Sequence, residues 1–401
     1  MKIAFPQLPD KALARSAREL TTRLGHGLTI TAIGVLLGVL VSLSAVAVFG
    51  LTDGLLTSWR PDGEVGHVGY TGFYPILFIV PVGAALIVGV LLASLAPDTP
   101  VELADVVAIA HQPDPAVPQV SGYASLVKSL LSVGSGASAG LYGPLLVLGA
   151  SLAGSVRKLL RLSPQHAEMA LGAGVAAAIS GTFSAPLAGI VFAHEVVLRH
   201  YSLRFFAPVT IASATAYVIS GQMFPDHANL LPVLTTKAST AVDIIMLILL
   251  GIFAGLLAVA TMRLLANMRM RVQVSGLPVW VRPVIAALGV GALAHLSPSI
   301  LGPGLDVIAA MLQGGLAASD LVMLTGLKII ASCLCLALFF HGGILGPSLF
   351  IGAGLGGFIA ALLSALAPLT GYQPDASLFA LAGMAAVASC VIGAPLAMIL
   401  I

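Results

Sequence analysis

Nine stretches of this 401-residue chain contain no Asp, Glu, Lys or Arg: Gly27–Thr52, Val68–Pro97, Ser129–Val156, Met169–Ala193, Phe205–Pro225, Ile244–Met262, Pro283–Leu305, Ile329–Pro374 and Ala376–Ile401. A helix needs about 20 apolar residues to cross a bilayer, and most of these stretches supply them. Only 8% of the residues are charged while 58% are hydrophobic, a balance outside the range of soluble domains. The solvent for most of this chain is therefore lipid, where backbone groups must bond internally and helices are the natural spanning element.

The same numbers exclude other classes. A net charge of +2, no basic tract and 6% aromatics leave no footprint for nucleic acid. Cys333, Cys335 and Cys390 lie in apolar runs and read as small buried hydrophobes, since a C-x-C pair alone is weak evidence for metal. The first apolar run is too long for a signal-peptide core and is expected to stay as a membrane helix. Lys2, Lys11, Arg15, Arg18 and Arg23 precede it against Asp10 and Glu19, which predicts a cytoplasmic N-terminus; residues 1–25 read as an amphipathic cytoplasmic helix.

Two segments repeat. Gly140-Leu-Tyr-Gly-Pro144 and the apolar helix after it are echoed by Gly343-Ile-Leu-Gly-Pro347, an offset of 203 (343 − 140). Further on, Ser184-Ala-Pro-Leu-Ala-Gly189 is echoed by Gly393-Ala-Pro-Leu-Ala397, an offset of 209 (395 − 186) between the prolines. Ordered repeats of this kind divide the chain into membrane halves at 26–225 and 226–401, with the second expected to be C-terminally incomplete because its last motif reaches Ile401. Transporters that break helices at matching places in two halves build substrate sites from the exposed helix ends.

The chemistry of each break suits an anion. Proline in a first helical turn loses no bond, because the N–H groups there are unpaired anyway. Glycine beside it admits close approach. The free amides and the positive end of the dipole then make an anion site without a cationic side chain, weak enough to release its ion. Gly140, Leu141, Tyr142 and Gly143, with Gly343, Ile344, Leu345 and Gly346, are the candidate anion-binding residues. The alternative is that the Gly-Pro breaks only end helices and that glycine packs them closely.

These residues resemble the CLC family of chloride channels and chloride/proton exchangers. Gly134-Ser-Gly-Ala-Ser-Ala-Gly-Leu-Tyr-Gly-Pro144 is similar to the family's Gly-Ser-Gly-x-Ser-x-Gly-Arg-Glu-Gly-Pro segment, Gly342-Gly-Ile-Leu-Gly-Pro347 to its Gly-Gly-x-Phe-x-Pro segment, and Ser184-Ala-Pro-Leu-Ala-Gly-Ile-Val-Phe-Ala-His-Glu195 to its Ala-Pro-Leu-Ala-Gly segment with a closing Glu. The resemblance implies an all-α integral membrane protein with an inverted-repeat fold of broken, tilted helices, no cofactor, chloride as substrate, and a homodimer with one pore per subunit. A bacterial inner membrane is the expected location.

Departures from the family pattern bear on mechanism. The family's gating glutamate position is Tyr142, and its preceding Arg is Leu141; a phenol stays protonated at neutral pH and would neither compete with an anion nor carry protons. The internal proton glutamate of the exchangers falls at Val196. Ala96-Pro-Asp-Thr-Pro100 is a poor match to the first anion motif, with Thr99 as a possible substitute ligand. The expected function is passive, proton-uncoupled anion conduction with Tyr142 at the gate. Two rivals are a proton-coupled antiporter working through Glu195 or His194, and a non-conducting scaffold or sensor.

Other residues carry two readings each. Glu195 is either structural or a proton group, as any ionisable residue closing a membrane run deserves both. His194 and His200 lack the i, i+4 spacing of zinc proteases, and no nucleophile–base pair is present, so no enzyme is expected. His341 precedes the second break as a helix-end residue or a pH sensor. Asp243 and Asp320 begin apolar runs and are expected as N-caps. Ser135 and Ser138 are read as small residues that let helices approach.

Overall fold

The computed structural model describes residues 10–60, 74–95, 102–112, 117–223, 241–338 and 340–401, with side chains described from residue 27 onward apart from that of residue 95. Thr99 and its surrounding motif lie outside the described residues. Among the described residues sixteen helices run in order: α1 (Asp10–Trp59), α2 (Ile76–Leu95), α3 (Leu103–Ala110), α4 (Gln119–Gly134), α5 (Tyr142–Leu160), α6 (Pro164–Phe183), α7 (Pro186–Phe192), α8 (Leu203–Met223), α9 (Ala241–Val274), α10 (Arg282–Ala294), α11 (Leu305–Leu312), α12 (Ala318–Ala337), α13 (Leu345–Ala365), α14 (Ala367–Thr370), α15 (Ala376–Ile392) and α16 (Pro395–Leu400). A π turn (Ala193–Leu198) extends α7, and a short 3-10 turn (Pro298–Ile300) precedes α11. Seven of the described helices are long and apolar enough to cross a membrane: α1 from Gly27, α2, α5, α8, α9, α12 and α13. The backbone of α1 runs unbroken from Asp10 into its span.

The two repeats fold alike because the same local chemistry recurs. Both α6 and α15 end on a left-handed residue, Ser184 (φ 53°) and Gly393 (φ 74°). An alanine N-cap and a proline at the first helical position follow in each case: Ala185 and Pro186 open α7, while Ala394 and Pro395 open α16. A left-handed residue closes a helix and proline cannot continue one but starts the next, so the chain is cut and restarted within three residues.

Close helix crossings repeat as well. α5 meets α6 where Gly149 faces Gly174, and a methyl group on either would overlap the other's carbonyl oxygen. In the second half α13 meets α15 at Gly352 and Gly383 with the same overlap. These pairs carry the sequence offsets of 203 (352 − 149) and 209 (383 − 174), so the repeat read from the breaks extends into the packing. Apolar helices in lipid gain little from further burial, and glycine faces let dispersion and backbone contacts hold them together.

Both acidic residues expected as N-caps sit inside their helices. Asp320 is in the first turn of α12, whose N-cap is Ala317, and Asp243 is in the first turn of α9. Carboxylates there still favour the positive helix end. Asp243 also accepts the Tyr372 hydroxyl, and burial followed by this carboxylate raises the Tyr372 pKa. The aspartate that caps in the strict sense is Asp375, which accepts from the Ser377 and Leu378 amides at 3.0 and 3.3 Å to open α15.

Gly149→Ala is expected to lower the melting temperature of the purified protein in detergent, as overpacking costs about 1–3 kcal/mol. Gly83→Ala, where nothing stands within 4 Å of the added carbon, is the control and should leave it in place. Equal melting of both variants would contradict the crossing.

Candidate functional site

The two Gly-x-x-Gly-Pro segments meet directly. Gly140 N–H donates to the Gly343 carbonyl at 2.9 Å, and Gly343 N–H donates back to the Gly140 carbonyl at 2.6 Å, an isolated antiparallel bridge. Side chains have no room here. A Cβ on Gly140 would stand 2.9 Å from the Gly346 nitrogen, and one on Gly343 would stand 2.9 Å from the Gly143 nitrogen.

From this bridge α5 and α13 depart with bare first turns. The first bond of α5 is Leu145 N–H to Leu141 O at 2.9 Å, and that of α13 is Ser348 N–H to Ile344 O at 3.0 Å. Ahead of them, the N–H groups of Leu141, Tyr142 and Gly143, and of Ile344, Leu345 and Gly346, reach no acceptor among the described residues. Pro144 and Pro347 occupy the third helical position of each and have no N–H. Two helix N-termini, each with three open donors, are thus fixed side by side.

Tyr142 is 2% exposed. Its ring stacks on Phe183, the last residue of α6, with centroids 4.4 Å apart, and tilts against Phe49 of α1 at 5.9 Å. Its hydroxyl is buried with no hydrogen-bond partner among the described residues. An orphaned buried hydroxyl costs free energy unless a ligand or water meets it.

Two cavities approach the bridge. The first, about 160 Å³, reaches the backbone at Gly143, Gly343, Ile344 and Leu345. Its walls are Ser125 and Ser129 of α4, Phe340 and His341, and one face of α9 at Met262, Leu265 and Arg269, with Glu102 beside Arg269. The second, about 140 Å³, is lined by Leu141, by Thr52, Asp53 and Arg60 near the end of α1, and by Pro303 to Asp306. They share no lining residue among those described. Leu141 lines one, Gly143 lines the other, and Tyr142 between them lines neither. Residues 141–143 thus run from one lining to the other.

An arginine in each cavity is paired with a carboxylate. Arg60 meets Asp306 at 2.9 Å in the second cavity, and Arg269 meets Glu102 at 3.1 Å in the first. Lys328 of α12 is fully buried beneath the loop that lines the second cavity. Its Nζ donates to the Ile300 and Gly302 carbonyls at 3.0 and 2.7 Å and lies 4.9 Å from the Phe350 ring centre.

Several expected residues have other occupations. Glu195 accepts from the Leu396 and Ala397 amides at 3.0 and 2.9 Å, so it caps α16 and joins the two halves. His194 Nδ1 pairs with the His200 carbonyl at 2.9 Å. Ser138 meets the Ser332 hydroxyl at 3.2 Å, and Ser135 bonds the Ser132 carbonyl. Val196 lies in the π turn, away from both cavity linings. Lys328, Phe183, Ser125, Ser129, Glu102 and Arg269 were not singled out by the sequence. The one sequence signal that could have found any of them is spacing: Met262, Leu265 and Arg269 fall at i, i+3 and i+7, on one helical face.

The family model described as voltage gated chloride channel matches residues 84–401. The chain belongs to the CLC family. Among its relatives, chloride channel protein CLC-e of Arabidopsis thaliana is 32% identical over 300 residues, covering 69% of this chain and 42% of that protein. The voltage-gated ClC-type chloride channel ClcB of Salmonella dublin is 30% identical over 280 residues, 68% of this chain and 66% of that one. The matched region thus spans less than two thirds of these relatives' length. Among solved structures, a CLC-type fluoride/proton antiporter superposes with TM-score 0.77 at 22% identity, covering 93% of this chain and 89% of that one. A slow cyanobacterial Cl−/H+ antiporter gives TM-score 0.80 at 19% identity, over 92% and 88%. The CLC fold is thereby established, and the chain is a multi-pass membrane protein of a family whose members are channels or transporters.

Tyr142→Phe removes the orphaned hydroxyl and keeps the stacked ring. It is expected to melt at or above the wild-type temperature in halide-free buffer, since an unsatisfied buried polar group costs about 1–3 kcal/mol. A large loss of stability would show that the hydroxyl has a partner the geometry does not reveal.

Proposed function

We propose that this CLC protein conducts small inorganic anions, chloride foremost, passively and without coupling to protons. The observation that carries this is the pair of bare helix N-termini locked together at Gly140 and Gly343, with three open amides on each side. Donors of this kind hold an anion through partial charges and release it readily. In this proposal Gly140 to Gly143 and Gly343 to Gly346 form the anion path. Tyr142 is the gate, acting as a ring plug between the cavities or offering its hydroxyl to the passing ion.

Uncoupled transport is supported by what stands where exchangers of the family carry carboxylates. Tyr142 and Val196 occupy those positions, and neither can shuttle a proton at neutral pH. Glu195, the nearest alternative, is engaged by two amides at a helix start, which favours a structural role. Chloride is substrate here and no cofactor is needed. The protein is proposed to work as a homodimer in a bacterial inner membrane. With the N-terminus cytoplasmic, the end of α1 at Arg60 puts the second cavity outside and the first cavity inside.

A proton-coupled antiporter is the second proposal, favoured by the two solved neighbours, both described as antiporters. Purified protein in liposomes under a fixed chloride gradient separates the two. Uncoupled conduction predicts a reversal potential that follows chloride alone and does not move when a pH gradient is imposed. A shift with the pH gradient contradicts it and supports exchange, whereas a folded dimer that passes no anion contradicts both.

A further inference from the structure

We propose that Arg269 is a second small-anion site, at the mouth of the first cavity, and that the Glu102 carboxylate is its built-in competitor. The proposal deepens the anion conduction argued above and rests on it. The guanidinium lines the same cavity as the open amides, on the approach that the proposed path uses. Met262, Leu265 and Arg269 lie on one face of α9, and the cavity they line runs from Arg269 to the backbone at Gly143 and Ile344. No other Lys or Arg among the described residues lines it.

Only part of the guanidinium is used. Its Nη2 donates to Glu102 Oε1 at 3.1 Å, while its Nε is buried and donates to nothing among the described residues. Glu102 side-chain exposure is 50% and that of Arg269 is 36%. An ion pair so exposed is weak and easily opened. A carboxylate and a halide compete for the same donors, so an arriving anion can displace Glu102 or fill the unused Nε–H. Ser125 and Ser129 also line the cavity, and its surface is largely apolar, which strengthens the field of a single cation. The backbone amides then need not attract the ion from bulk water. Arg269 gathers it, and Glu102 keeps Arg269 from holding it.

Chloride flux through the full chain in liposomes, measured against chloride concentration at constant ionic strength, tests this. Glu102→Gln is expected to lower the half-saturating chloride concentration and Arg269→Gln to raise it, each by about three- to tenfold, within the range of electrostatic focusing. The double variant should behave as Arg269→Gln alone, and Arg269→Lys should stay near wild type. Raising the salt to about 1 M should compress the differences. Shifts of the same sign for Glu102→Gln and Arg269→Gln, or no shift for either, would overturn the site and leave only a structural ion pair. If the wild type passes no chloride, conduction has failed but the site is still decided by calorimetric titration with bromide. Tighter binding by Glu102→Gln than by Arg269→Gln supports it, and equal affinity overturns it. Should Arg269→Gln not fold, Glu102→Gln is compared with wild type instead: tighter bromide binding supports the site, and unchanged affinity overturns it.

Discussion

The reciprocal hydrogen bond between Gly140 and Gly343 is the contact on which the rest depends. It joins two segments some two hundred residues apart in the chain at a spot where neither can carry a side chain. Because both ladders end there, the following amides have nowhere to donate within their own helices. In bulk lipid such groups would be prohibitive, and irregular backbone within a membrane is tolerated only where it is buried in protein or lines a cavity. Two cavities reach it, from different helices and with different linings.

The two halves share a plan but not their contents. Breaks, caps and glycine crossings recur at matching offsets, so the local backbone plan repeats. The side chains do not. One helix start carries Tyr142, walled by Phe183 and Phe49, while its counterpart carries Leu345, which faces the first cavity. A repeated frame thus holds different side chains, with a bulky ring at one helix start only. Glu195 adds a tie between the halves, spending its carboxylate on the start of α16.

Much of this was legible in the sequence because it depends on the backbone. Uncharged runs mark most of the spans, although α12 crosses Asp320 and Lys328 and the runs at Pro283–Leu305 and Ala376–Ile401 hold shorter helices, and Gly and Pro mark the breaks by local steric rules. The repeat offsets carried over to the helix crossings residue for residue. Polar side chains were harder to read. Asp243 and Asp320 lie within their helices because each helix begins earlier than its first charge, and an apolar residue, Ala317, opens α12. Lys328 gave no sign of full burial, since its partners are carbonyls of a loop whose position only the fold sets. Arg269 and Glu102 stand far apart in sequence, and their meeting at a cavity mouth is likewise a tertiary fact.

The central claim is that the bare amides beside the Gly140–Gly343 bridge hold a halide. Anomalous scattering from crystals grown in bromide tests it most directly. The predicted result is a bromide within hydrogen-bonding distance of an N–H among Tyr142, Gly143, Ile344, Leu345 and Gly346. Crystals that show these amides capped by protein carbonyls or bonded waters, with no halide beside them at saturating bromide, would contradict it.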